Sequence, residues 1–144
     1  MTLLTRTRGV ALGALAAVSV AAWPASAQDA KLSVELNKLE AHGAGCRAYL
    51  VVKNEGASEY QNFKLDLVLF QKDGVIGRRF AMDLAPLKPE KRTVKLFDLD
   101  NIGCDDIGSF LINDVMECKG GNGPIEDCLA RLSVKSLTNV ELTK

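Results

Sequence analysis

The 144-residue sequence has one histidine, four cysteines, four prolines, few aromatic residues and no excess of either charge. Each shortage excludes a class of function. His42 is the lone imidazole, so a Ser-His-Asp or Cys-His hydrolase has one candidate base, and that base stands in His42-Gly43-Ala44-Gly45, the composition of an exposed turn. No Gly-x-Ser-x-Gly elbow accompanies it. The absence of Cys-x-x-Cys leaves a thiol redox pair or a structural zinc site without its usual spacing. Eighteen basic side chains against eighteen acidic ones remove the basic excess that nucleic-acid binding demands. The apolar run from Gly9 to Ala22 is 14 residues long. A membrane-spanning helix needs about 20.

That run has a different use. It follows Met1-Thr2-Leu3-Leu4-Thr5-Arg6-Thr7-Arg8, with two positive charges and no acid, and it breaks at Trp23-Pro24 ahead of the small residues Ala25-Ser26-Ala27. This order predicts a cleaved secretory signal peptide over residues 1–27 and a mature chain from Gln28. No cysteine stands near the cleavage site for lipid attachment, so a periplasmic or secreted protein is expected, without stable membrane insertion once the signal is removed. Residues 28–144 form a single expected domain, with 16 basic and 18 acidic side chains and a net charge of −2. Export also decides how the cysteines are read, because an oxidising compartment favours disulfides and an even count leaves none unpaired. The turn-forming segment Lys119-Gly120-Gly121-Asn122-Gly123-Pro124 predicts a Cys118–Cys128 bridge. Cys46–Cys104 follows by elimination.

Along the mature chain the apolar residues recur with period two. Leu32, Val34 and Leu36 alternate with polar neighbours; Cys46, Ala48, Leu50 and Val52 follow after the glycine-rich break. Phe63, Leu65, Leu67 and Leu69 line one face of a third segment, and Asp73-Gly74 predicts a hairpin into Val75–Leu84 with Ile76, Phe80, Met82 and Leu84 inward. Pro86 and Pro89 interrupt pairing before a strand over Arg92–Leu99. Segments at Ile107–Val115 and Leu129–Leu137 complete the set, and Asp105–Asp114 has the option of opening as a helical turn. Seven short strands without a helical period predict an all-β, two-sheet antiparallel β-sandwich stapled by two disulfides.

Val51-Val52-Lys53-Asn54-Glu55-Gly56, Leu65 to Phe70, Asp73-Gly74 and Leu84-Ala85-Pro86-Leu87-Lys88-Pro89 together resemble the FxLYD-type domains of exported bacterial proteins. That resemblance implies a fibronectin-like, immunoglobulin-type sandwich. It implies no catalytic residues. Phe70-Gln71 stands where the family usually has Tyr-Asp, and the four cysteines are an addition to its pattern.

The expected function is therefore a non-enzymatic binding or accessory module for an extracytoplasmic protein partner, with no cofactor and no resident metal. Tyr49, Val51, Val68 and Phe70 face away from the predicted core, either covered as central-strand residues or exposed as a contact patch. Arg78-Arg79 and Lys91-Arg92 suit either an anionic partner or protection of strand edges. Tyr49, Phe70, Arg78 and Arg79 are the candidate binding set. The alternative is a small inhibitor or modulator of an extracytoplasmic enzyme, acting through the disulfide-closed loop 118–128. Asp98-Leu99-Asp100-Asn101-Ile102-Gly103 opens like a calcium loop, but Ile102 stands where an oxygen ligand is required and Ser109 where a bidentate Glu is required. Asp105-Asp106 and Glu126-Asp127 are sequence neighbours of the kind found in solvated loops.

Overall fold

Where period two is strongest, the chain extends and buries one side of each strand. The computed structural model describes residues 32–144, and the predicted signal peptide lies outside them. In chain order the strands are β1 (Leu32–His42), β2 (Gly45–Asn54), β3 (Tyr60–Gln71), β4 (Ile76–Asp83), β5 (Lys91–Leu99), β6 (Ile107–Gly120), β7 (Gly123–Pro124), β8 (Leu132–Ser136) and β9 (Glu141–Thr143). A single 3-10 turn at Cys104–Asp106 precedes β6, and a four-residue helix, α1 (Cys128–Arg131), precedes β8. One sheet has the order β5-β2-β1-β8; the other has β4-β3-β6-β7, with β9 also paired to β6.

Both sheets are mixed. β8 runs parallel to β1 and β9 parallel to β6, which corrects the expectation of seven antiparallel strands to nine strands in two mixed sheets among the described residues. The extra strands are two and three residues long, too short for alternation to announce them. The predicted strand 129–137 begins instead as α1, because Cys128 is tied to Cys118 while Asp127 takes a left-handed backbone at φ 57°. Ile76 is also corrected. It is 60% exposed, because a register irregularity between Leu69 and Phe70 pairs Phe70 with Ile76 and leaves Gly77 as the additional residue.

Inner positions of both sheets meet in one buried cluster that includes Val34, Leu36, Leu50 and Val52 from one sheet and Phe63, Leu65, Leu69 and Phe110 from the other. Phe97 of β5 joins the two. Its ring centroid lies 5.3 Å from Phe80 on β4 and 6.0 Å, edge-on, from Phe110 on β6.

Asn54 is the polar exception at the end of β2, 1% exposed and fully engaged. Its Nδ2 donates to the carbonyls of Ser58 at 2.8 Å and Leu87 at 3.0 Å, while its Oδ1 accepts from the Gly56 amide at 3.0 Å. One side chain thus ties the β2–β3 connection to the β4–β5 connection.

Both predicted disulfides form, Cys46–Cys104 across a separation of 58 residues and Cys118–Cys128 across 10. Beside the first, a Cβ on Gly45 would stand 2.0 Å from the Leu99 carbonyl oxygen. Only glycine permits that approach of β2 to the end of β5. The Asp73-Gly74 hairpin also forms as expected, with Gly74 at φ 83° and the Gln71 amide donating to the Val75 carbonyl at 2.8 Å.

Asn54→Ala leaves the buried Gly56 amide without its acceptor and removes one donor each from the Ser58 and Leu87 carbonyls, of which Leu87 keeps the Tyr60 amide, so the expected loss is about 2 kcal/mol. Urea unfolding of the purified variant measures it. Replacing both cysteines of a bridge by alanine costs about 4 kcal/mol for Cys46–Cys104 and about 2.7 kcal/mol for Cys118–Cys128 on the chain-entropy argument. The urea midpoints should fall in that order.

Candidate functional site

The solvent face of the four-stranded sheet is built from the residues that alternate with the core. Across β5, β2 and β1, Arg92 stands opposite Lys53 and then Ser33; Val94 opposite Val51 and then Glu35. Leu96 stands opposite Tyr49 and then Lys38, and Asp98 opposite Arg47 and then Glu40. Four apolar or aromatic side chains, Val94, Val51, Leu96 and Tyr49, therefore form a contiguous block. Val94 is 59% exposed and Leu96 52%, whereas Val51 and Tyr49 are half-buried between their neighbours.

Charged groups close both ends of this block. At one end the Arg47 guanidinium makes a two-pronged contact with Asp98, at 2.7 and 2.9 Å, and its Nη2 lies 2.9 Å from His42 Nε2. The Arg47 hydrogen bonds hold the Asp98 carboxyl below the usual carboxylate range, and Asp98 in turn raises the Arg47 guanidinium. Tyr49 donates its hydroxyl to Glu40 at 2.7 Å, which lowers the Glu40 carboxyl, while the Lys38 ammonium lies 5.4 Å from the Tyr49 ring centre. At the other end Glu35 accepts from Lys135 and Asn37, both at 2.7 Å, and the Lys135 bond is the main cause of its lowered pKa. A shallow depression of about 460 Å³ lies there, lined by Glu35, Val51, Lys53, Glu55, Arg92 and Lys135.

No family model and no curated protein matches the chain. A solved structure does. IrmA from Escherichia coli superposes with a TM-score of 0.56 at 10% identity, over 78% of this chain and 98% of that one. At such an identity the likeness concerns the fold.

The four residues singled out from the sequence do not converge. Tyr49 belongs to the face just described, while Phe70 on β3 and Arg79 on β4 belong to the other sheet. Arg78 donates to the Asp100 carbonyl at 2.8 Å, pinning the loop after β5. Arg79 contacts Asp66 through Nε at 2.9 Å and Nη2 at 2.8 Å, and Asn113 donates to the same carboxylate at 2.7 Å. These three side chains lie across β4, β3 and β6 and explain why Asp66 and Val68, outward residues of a central strand, are each only 6% exposed. Val68 is a covered central-strand residue, whereas Val94 and Leu96, which alternation also places outward, are the exposed ones. The signal that would have found them is edge position, which depends on sheet order.

Among the described residues, no group of three or more His, Cys, Asp or Glu side chains is placed to hold a metal ion. Asp98, first in the calcium-like spacing, is engaged by Arg47. The 118–128 segment folds back along β6: Lys119 pairs with Pro124, Gly120 with Gly123, and the Ile125 amide donates to the Cys118 carbonyl at 2.9 Å.

Asp66 yields a pH dependence. The Arg79 hydrogen bonds, followed by that of Asn113, lower its folded pKa below 3.8, so it binds a proton less readily when folded than when unfolded. Its contribution is complete well above the unfolded value of about 3.9 and is lost as pH falls through the lower folded value. Asp66→Asn should lower the urea midpoint at pH 7, and the gap from wild type should narrow as the titration is carried down toward pH 2. A gap that stays constant over that range would show that the carboxylate charge contributes nothing.

Proposed function

We propose that this chain is an exported, non-enzymatic β-sandwich of the immunoglobulin or fibronectin kind, and that it serves as a periplasmic or secreted protein-binding module. The FxLYD-type resemblance belongs to this reading. One observation supports it above the others: the apolar block Val51, Tyr49, Val94 and Leu96 stands on an outer sheet face between two ends of charged and hydrogen-bonding side chains. An apolar centre inside a polar rim is the anatomy of a protein contact surface. Isolated exposed apolar residues, such as Met116 and Leu137, are ordinary on any surface and carry no such argument.

Two disulfides fit the oxidising compartment that export supplies. Among the described residues no helix is long and apolar enough to cross a membrane. The partner expected for this face is a folded extracytoplasmic protein that offers an apolar or aromatic centre with charges of both signs around it. Tyr49 is the preferred anchor, since its ring adds apolar area and its hydroxyl is already held by Glu40.

Crosslinking in the native extracytoplasmic fraction, followed by mass spectrometry of the captured proteins, tests the reading. Val51→Glu places an anion in the middle of the block on a strand that is paired on both sides. A specific prey should be lost with Val51→Glu while the thermal midpoint stays within a few degrees of wild type. Equal capture by both proteins would remove this face from the reading.

A further inference from the structure

The four-stranded sheet ends differently on its two sides. β8 packs beside β9 of the other sheet, whereas β5 is hydrogen-bonded to β2 and to no other strand among the described residues. Nine residues of strand edge with two exposed apolar side chains form a template for another strand.

The order of side chains on that edge specifies which strand. Along the outer face β5 reads Arg92, Val94, Leu96, Asp98: cation, apolar, apolar, anion. Reversed, the same series is its own complement. We propose that β5 pairs with β5 of a second copy of this chain, antiparallel about a twofold axis at Lys95, joining two four-stranded sheets into one continuous sheet. In this register Arg92 faces Asp98 of the second copy, Val94 faces its Leu96, and both contacts recur by symmetry on the other side of the axis. A twofold interface requires such self-complementarity.

The like-charged pair at the axis is accommodated by the fold. Lys95 lies between the outward positions on β5, and its Nζ donates to the Ala85 carbonyl of its own chain at 3.3 Å. Asp98 can also take a second cation. Its two oxygens accept one hydrogen bond each from Arg47, and a carboxylate has about four acceptor positions. The remaining edge of the other sheet, β4, has no equivalent order. Reversing Ile76–Asp83 near its middle sets Arg78 against Met82 and Arg79 against Ala81, and Asp83 meets Arg79 only in a register that leaves Ile76, Gly77 and Arg78 unpaired. An acidic extended segment of another protein would suit Arg92 but would leave Asp98 facing like charge, so a second copy is the better occupant.

The proposal stands apart from partner binding, because Val51 and Tyr49 remain on the open face of the joined sheet. Sedimentation equilibrium of the purified protein from about 1 μM to about 1 mM should show a reversible monomer–dimer system, and Leu96→Glu should weaken the dimer at least tenfold. Register is read separately by cysteine placement. Directly opposed residues of antiparallel strands have Cα atoms about 4.5–5.5 Å apart, within the range of a disulfide, so Lys95→Cys should link two copies under mild oxidation. Copies of Thr93→Cys stand four residues out of register, about 13 Å apart along the strand, and should not link. Peptide mapping confirms that the link joins residue 95 to residue 95 and that the native bridges remain.

A protein that stays monomeric over the whole range overturns the proposal, including one whose β5 instead captures a segment of a different protein. So does a dimer indifferent to Leu96→Glu, or equal linking by Thr93→Cys and Lys95→Cys. Val51→Glu should leave the dimer intact, so failure of self-pairing and failure of partner binding give different results.

Discussion

Asn54 is the constraint on which the arrangement of the two sheets depends. The chain first leaves the four-stranded sheet at the end of β2 and first returns to it at the start of β5, and backbone groups in both connections bond to this one buried amide. A buried amide has four hydrogen-bonding positions to satisfy, and leaving them open in an apolar surrounding is costly. Three are used here, by Gly56, Ser58 and Leu87. The side chain therefore sets where the connections lie as well as contributing to stability. Nearby, Leu87 also exchanges backbone hydrogen bonds with Tyr60, so the start of β3 and the approach to β5 are held at one place. Once these crossings are placed, Phe97 comes to stand between Phe80 and Phe110, and the inner faces share one core.

The outer faces of the two sheets solve the same problem differently. Each has a central strand with apolar residues pointing away from the core. On β3 the long Arg79 side chain reaches across from β4, Asn113 reaches from β6, and both converge on Asp66; Val68 lies beneath this cover. On β2 the flanking residues from β5 are Val94 and Leu96, which are too short and too apolar to form such a bridge. They enlarge the apolar surface instead of covering it. The charged side chains near them pair at the two ends, Arg47 with Asp98 and Lys135 with Glu35, and leave the middle open. One face is thereby sealed and the other is left as a surface with an apolar centre.

This contrast bears on the proposed role as a binding module. Exposed ion pairs add little net stability, since solvent screens them and ordering long side chains costs entropy. Their effect on the open face is one of arrangement. They fix positive and negative groups at known places around Val51 and Tyr49, and such a pattern discriminates between partners more than it adds affinity. The disulfide beside Gly45 ties the far end of the same face to the loop after β5, which keeps β2 and β5 in register where Arg47 meets Asp98.

Period-two alternation was sufficient to place the long strands β1 to β5 and most of β6, because burial on one face of a pleated strand is written directly into residue order. The Asp73-Gly74 hairpin and both disulfides were readable for similar local reasons: a turn needs residues that accept its backbone angles, and four cysteines that all pair have three ways to do so. The expected strand at Leu129–Leu137 survives as β8, shortened to Leu132–Ser136, whereas β7 and β9, two and three residues long, are too short to carry a pattern and are sheet members only through their pairing with β6. The same holds for exposure. Val68 and Val94 are the same residue type on outward positions of strands, yet one is covered and the other is open, because β3 is central and β5 is an edge. Sheet order distinguishes them, and sheet order is set by pairings between strands distant in the chain, β2 with β5 and β3 with β6.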